Sequence, residues 1–177
     1  YKGGKLVAEN GKMLHQKEKT TDWSDEIKEC VFHSFHRGPV SVEELQLKET
    51  TGTHQRVIDM VAHELITKER IEEWKELPGM APGVDISRDI VKLAAIERHK
   101  NTGHVGLGFL GKYGLKRGAV ATSIGHDSHN LVIAGVTDED MVLAGNRVIE
   151  NGGGLAIALA GKVLADLPLP IGGLMAD

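Results

Sequence analysis

Residues 119–150 read AVATSIGHDSHNLVIAGVTDEDMVLAGNRVIE, and this stretch decides the fold. Two short apolar runs, Ala119 to Ile124 and Leu131 to Val136, are typical of strands buried in a sheet. Thr137 then supplies a capping oxygen, and the acids that follow it suit the positive end of a helix dipole. We therefore predict two strands followed by a helix that runs to about Glu150.

The chain then turns back as a hairpin. Glycines at 152–154 end the helix, and residues 155–160 and 162–167 predict two strands around Gly161. Pro168 and Pro170 stop the pairing. Strand, strand, helix and hairpin predict an α+β fold, with a mixed or antiparallel sheet and few helices packed on one face. The apolar face of the helix consists of Met141, Ala144, Val148 and Ile149.

Upstream of this stretch the pattern is less regular. Residues 2–13 surround Asn10-Gly11, a strong hairpin signal, and so short a hairpin must add to a sheet from elsewhere. Residues 18–29 are polar and predict a linker or an exposed turn of helix. Residues 56–66 favour a strand because they are rich in β-branched side chains, although their length also allows a helix.

The middle of the chain alternates between turns and a strand. Residues 67–74 predict a helical turn, and the Pro-Gly pairs between 78 and 83 predict a loop. Residues 90–99 predict a strand that leads from a core into a charged cluster. The glycines of 103–118 indicate tight turns and close packing, because their Gly-x-Gly pattern lacks the strand-to-helix context of a phosphate-binding loop.

Composition bounds the class of protein. The 177 residues are 41% hydrophobic and 26% charged, with a net charge of −4, as in an ordinary globular protein without a global field for nucleic acid. No apolar run approaches the roughly 18 residues of a membrane span. The single cysteine, Cys30, excludes an internal disulfide and favours the cytoplasm. We expect neither a nucleic acid nor a membrane as partner.

The turn at His126, Asp127, Ser128, His129 and Asn130 carries the candidate chemistry. Imidazole and carboxylate can bind a metal, transfer a proton or hydrogen-bond a purine ring. A structural interpretation is equally open, in which the acid and serine cap the turn and the histidines bond to backbone. Two histidines cannot close a catalytic metal site, which usually takes three protein ligands.

Other polar groups are weaker candidates. Cys30, His33 and His36 have the spacing of part of a zinc site, yet no matching pair follows them. Glu97, Arg98 and His99 form either a polar wall beside the glycine-rich segment or a solvated strand end. With one cysteine, the chain lacks the Pro-Cys-x-x-Cys of the zinc deaminases that act on flipped bases.

Several segments together resemble the C-terminal region of bacterial adenine deaminases, in order and in spacing. The resemblance is strong from about Asp89 to the end, and residues 2–14 are similar to strands of the small β-sandwich of amidohydrolases. The segments are 96–99, Gly103 with 106–109, 114–119, 123–130, 152–154 and 167–175.

The resemblance implies hydrolysis of adenine to hypoxanthine and ammonia at a two-metal centre of manganese or iron, where bound hydroxide attacks the carbon that bears the amine. The metal ligands of the family lie in a barrel upstream of Tyr1, so we expect no metal site in this chain and no activity of the chain alone. We also expect the family to continue beyond Met175, which makes the chain a fragment or one part of a split enzyme.

The resemblance further predicts a division into residues 1–20, from the β-sandwich and a linker, and residues 21–177, the C-terminal domain. The candidate catalytic residues are His126, Asp127 and His129, as a second wall of the site, and the candidate substrate-binding residues are Ser128, Asn130, Glu97 and His99. Expected partners are the metal-binding barrel, adenine and further copies of the enzyme. Two other functions stay open: a non-catalytic oligomerisation domain and a purine-binding module.

Overall fold

The computed structural model describes residues 1–14, 23–47 and 52–176. An eight-stranded mixed sheet forms the body of the chain, which confirms the α+β class. In chain order the elements are β1 (Ala8–Glu9), β2 (Lys12–Met13), α1 (Asp25–Phe32), α2 (Val42–Leu45), β3 (His54–Met60), β4 (Thr67–Glu73), β5 (Ile90–Ile96), β6 (Val105–Gly111), β7 (Ala119–Thr122), β8 (Leu131–Gly135), α3 (Asp138–Glu150), β9 (Gly154–Leu159) and β10 (Lys162–Pro168).

The order of strands in the large sheet is β10-β9-β7-β8-β5-β6-β3-β4. All neighbours are antiparallel except β3 and β6, which are parallel. The strands, helix and hairpin predicted for residues 119–167 are confirmed, and the pairing of β10 with β9 ends at Pro168. Because β5 and β8 are neighbours, the charged end of β5 lies beside the turn between β7 and β8.

Helix α3 covers one face of the sheet and encloses the main core. The Thr137 hydroxyl accepts the N–H of Asp140 at 3.4 Å, as the capping pattern predicts. Three of the four predicted apolar helix residues are fully buried, and Ile149 packs at the edge. Every second residue of the strands points to this core, since side chains alternate along a strand. The sheet contributes to it Ala94, Ile96, Ala119, Ala121, Leu131, Ile133, Ala156 and Ala158.

The opposite face of the sheet is covered over part of its area by residues 75–89, which we call the strap. Ala81 and Val84 of the strap pack against Val91 of β5 and Ala134 of β8. The Ala81 N–H donates to the Val136 carbonyl at 2.7 Å, so the strap follows the end of β8. The loop predicted at residues 78–83 is part of this strap.

The middle of the chain differs from its predicted structure at several segments. The strand predicted over residues 56–66 ends at Met60, and residues 105–111, predicted as part of a segment of tight turns, form β6. The helical turn predicted at residues 67–74 is wrong, because Thr67–Glu73 forms β4 and pairs with β3 along its whole length. An edge strand with one solvated face can be polar, so its sequence lacks the apolar alternation of inner strands. The glycines at 106, 108 and 111 lie within β6, which is followed by a loop and β7, so they form no phosphate-binding loop.

The N-terminal part contains smaller elements. The hairpin around Asn10-Gly11 is confirmed, and β1 and β2 form a separate two-stranded sheet. The hairpin pairs with no other described strand, so its predicted addition to a further sheet stays a prediction. The predicted polar linker includes the start of α1, which Ser24 caps. The predicted domain boundary after residue 20 lies outside the described residues and stays a prediction. Of the described helices, the longest has 13 residues, and none has the length and apolar character needed to cross a membrane.

Candidate functional site

The candidate site is the turn of residues 123–130, which joins β7 to β8. Ser123 at its start is fully buried. The Ser123 hydroxyl accepts the Gly154 N–H at 2.7 Å and donates to the Gly173 carbonyl at 2.5 Å. The N–H of His129 donates to the Gly125 carbonyl at 2.5 Å and closes the turn. The turn is therefore fixed at both ends by hydrogen bonds.

Arg98 holds the turn through a hydrogen bond to its backbone. Its guanidinium donates to the carbonyl oxygens of His129 at 2.6 Å, Gly172 at 3.0 Å and Ser34 at 3.2 Å. It also lies 4.9 Å from the ring centre of Phe35, in a cation–π contact. Arg98 is only 1% exposed, and this burial lowers the pKa of its guanidinium. One buried cation therefore joins three segments that are far apart in the sequence.

His99 and Glu97 lie on either side of Arg98 and have different roles. The Nε2 atom of His99 hydrogen-bonds the Ser128 carbonyl at 2.8 Å, which is a second contact to the turn. The Glu97 carboxylate accepts the N–H groups of His99, Lys100 and Thr102 at 2.5 to 3.0 Å. These bonds, that of Thr102 first and against a smaller effect of burial, lower the pKa of Glu97 to about 2. Glu97 thus closes its own loop.

The side chains at the tip of the turn, those of His126, Asp127 and Ser128, are exposed to solvent. The His126 and Asp127 side chains are 87% and 85% exposed, and the His126 Nδ1 atom contacts the Asp127 carboxylate. The rings of His126 and His129 lie 6.0 Å apart, edge to face. The His129 Nδ1 atom is buried without a hydrogen-bond partner among the described residues. Ser128 is exposed and Asn130 is half-buried.

The structure thus brings six of the seven predicted site residues together, since His99 contacts the turn that holds the other five. Glu97 is close in sequence but uses its carboxylate within loop 97–102. Sequence reasoning noted Arg98 but did not select it as a site residue. In the sequence, Arg98 is marked only by its position directly after an apolar strand. This position does not reveal its role, because its hydrogen-bond partners are distant in the sequence.

The described residues do not supply a metal site. No group of three or more His, Cys, Asp or Glu side chains within residues 1–14, 23–47 and 52–176 could hold a metal ion. The weaker candidates Cys30, His33 and His36 are not grouped as metal ligands among the described residues. Cys30 is exposed, the His33 Nδ1 atom bonds the Glu29 carboxylate at 2.7 Å, and the His36 Nδ1 atom bonds the His99 carbonyl at 2.6 Å.

Comparison with known proteins places the chain in a family. A sequence profile described as the adenine deaminase C-terminal domain matches residues 64–177. Over its whole length, the chain is 39% identical to an adenine deaminase of Lysinibacillus sphaericus and 42% identical to one of Kosmotoga olearia. It is also 41% identical to adenine deaminase 1 of Carboxydothermus hydrogenoformans. The chain covers 29%, 30% and 28% of these relatives, or about three tenths of their length. Because profile and relatives agree, the chain belongs to the family of adenine deaminase C-terminal domains.

Proposed function

We propose that this chain acts as the C-terminal part of an adenine deaminase, which hydrolyses adenine to hypoxanthine and ammonia in purine salvage in the cytoplasm. The observation that carries the proposal is the similarity of the whole chain to proteins named adenine deaminase. The predicted site residues within this similarity form a fixed turn with exposed polar side chains, which supports a role at a ligand.

In this proposal the turn of residues 123–130 lines or closes the purine site. Its backbone is held by Arg98 and Ser123, so the exposed His126 and Asp127 side chains extend from a rigid base. An imidazole can donate a hydrogen bond to a purine ring or accept one from it, a carboxylate can accept one, and an imidazole can also transfer a proton. Asn130 and Ser128 offer further polar contacts. A rigid turn with exposed donors and acceptors suits the recognition of a ring with several nitrogen atoms.

The binuclear manganese or iron centre belongs, in the proposal, to a metal-binding barrel outside this chain. The described residues do not fit such a centre, because they group no three suitable ligands. We therefore assign no step at a metal to this chain. Its contribution consists of positioning, hydrogen bonding, proton transfer by an imidazole of the turn and the exclusion of water from the purine site.

The test is adenine turnover, measured as hypoxanthine and ammonia formed, for the 177-residue chain and for the intact polypeptide that contains it. Both are supplied with manganese or iron. We expect turnover by the intact polypeptide and none by the chain alone, because the described residues of the chain group no metal ligands. Turnover by the chain alone would refute the assignment of the metal centre to a barrel outside this chain. An intact polypeptide that binds the metal but leaves adenine unchanged would refute the proposed activity.

A further inference from the structure

Next to the candidate turn, residues 1–14, 23–47 and 52–176 leave the face of the sheet opposite α3 exposed or half-buried. We call this area the open face. It continues from the strap to the end of the sheet at which the turn of residues 123–130 begins, and Ile157 within it is 43% exposed. The open face consists of Ala95, Gly106, Gly108, Thr122, Val132, Leu155 and Ile157.

Gly106 and Gly108 of β6 form the floor of the open face, and the structure of the chain itself does not require glycine there. Neither residue has the positive φ that favours glycine. A Cβ atom on Gly108 would meet no described atom within 4 Å, and one on Gly106 would meet only the Ala95 carbonyl at 3.8 Å. Glycine inside a strand weakens the strand, and it often marks the close approach of another backbone.

The open face also lacks charge. Its side chains are aliphatic apart from that of Thr122, whose hydroxyl accepts the Ile124 N–H at 3.0 Å. The floor at Gly106 pairs with Ala95, and Ala95 pairs with Val132, so small side chains lie side by side across three strands. An uncharged and shallow surface is typical of the core of a permanent interface rather than of a solvated face.

The open face and the candidate turn are continuous. Thr122 is the last residue of β7 before the turn, and Ala95 lies three residues before Arg98, which holds the turn. A body that packs on the open face would therefore also reach His126 and Asp127. The proposed function requires such a body beside the turn, because the described residues group no metal ligands of their own.

We propose that the open face is the docking surface for the metal-binding part of the same enzyme, which this inference takes from the proposed function. The relatives of this chain have about 70% of their length outside the matched region. The rest of such an enzyme is therefore much larger than this domain and needs a surface of the domain on which to pack. The glycine floor lets the backbone of that body approach closely, and this contact sets the distance between the turn and the purine site.

The test uses Gly106→Val in the intact polypeptide, with melting temperature as the measurement and no substrate present. If the open face is covered, the added side chain has no room, and we expect the melting temperature to fall by several degrees. Gly106→Ala adds only one carbon and should cause a smaller fall, which also serves if the valine variant does not fold. If the open face is free, valine should leave the melting temperature unchanged or raise it, because valine favours a strand. That result would overturn the inference.

The matched control is Gly38→Val, since Gly38 is also exposed, lacks a positive φ and has no described atom within 4 Å of an added Cβ. It should leave the melting temperature unchanged. Molar mass by light scattering identifies the occupant. A fall in melting temperature at constant molar mass supports the docking of the same polypeptide, whereas a fall in mass with Gly106→Val would assign the open face to a second copy and overturn the inference. Neither the melting temperature nor the molar mass depends on adenine turnover. These measurements therefore test the docking surface independently of the proposed activity.

Discussion

The two ends of the sheet handle charge in different ways. At the end formed by β3, β4 and the strap, the buried and half-buried charged side chains form ion pairs. Arg70 binds Asp59 through Nε at 3.0 Å and Glu72 through Nη1 at 2.6 Å. Arg88 bridges Glu72 and Asp85, each at 2.7 Å. These ion pairs join the strap and the edge strand β4 to the rest of the sheet.

At the end formed by the candidate turn, the buried cation pairs with no described carboxylate. Arg98 binds backbone carbonyl oxygens, and the exposed His126 contacts only its neighbours in the turn, the Asp127 carboxylate and the His129 ring, among the described residues. The fold therefore separates two tasks. Backbone contacts fix the position of the turn, so the side chains of the turn are left available for a ligand.

The largest expected effect is that of Arg98→Met. Three half-buried carbonyl groups, those of Ser34, His129 and Gly172, would lose their donor. An unsatisfied buried polar group costs about 1 to 3 kcal/mol, so we expect a loss of about 3 kcal/mol or more in the free energy of unfolding. Urea unfolding followed by circular dichroism measures it. Arg98→Lys keeps the positive charge but not the forked set of donors, so its free energy of unfolding should lie between those of the original chain and the methionine variant. A loss below about 1 kcal/mol for Arg98→Met would contradict the role of Arg98 in holding the turn.

A smaller effect is expected at the opposite end when the pH falls. The Ser87 hydroxyl, and then Arg88, lower the pKa of the Asp85 carboxyl from 3.8 to about 2, against the opposing effect of burial. Because the pKa is lower in the folded chain, the stabilisation is present above pH 4 and is lost as the pH falls towards 2. The shift corresponds to about 2 kcal/mol.

Unfolding by urea at a series of pH values between 5 and 2 measures this contribution. Asp85→Asn removes the carboxyl and should flatten the slope over that range while lowering stability at neutral pH. Glu97, whose pKa is also about 2, remains as a second source of slope in both proteins. An identical slope for the variant would show that Asp85 does not contribute.

Much of the fold can be predicted because its signals are local. The strands and helix of residues 119–167 follow from apolar runs, a capping threonine and terminal glycines, all within a few residues of one another. The failure at residues 67–74 has the opposite cause. β4 is an edge strand whose Arg70 and Glu72 are stabilised by partners on β3 and the strap, and no local pattern reports such partners.

The sequence places five of the candidate residues in one turn, but it does not predict the contacts that hold this turn in place. The turn between two apolar strands marks itself by histidine, aspartate and asparagine close together. Arg98, however, acts on groups that lie 31, 64 and 74 residues away. Its role depends on the order of the strands, in which β8 lies beside β5, and this order was not predicted.

The smallest expected effect on stability is also the one that tests the purpose of the turn. His126 is almost fully exposed, so His126→Ala should change the free energy of unfolding by no more than about 0.5 kcal/mol. If His126 contacts the purine or moves a proton, adenine turnover by the intact polypeptide should fall about 100-fold. His104→Ala is a suitable control, because His104 is exposed and precedes β6 at the same end of the sheet. A substitution of His129 by alanine is less informative, because the φ of +48° at this position would strain an alanine. Asparagine tolerates a positive φ and is the better replacement there. Unchanged turnover for His126→Ala would mean that the exposed imidazole serves neither task, and the turn would then belong with the charged end of the sheet, as structure alone.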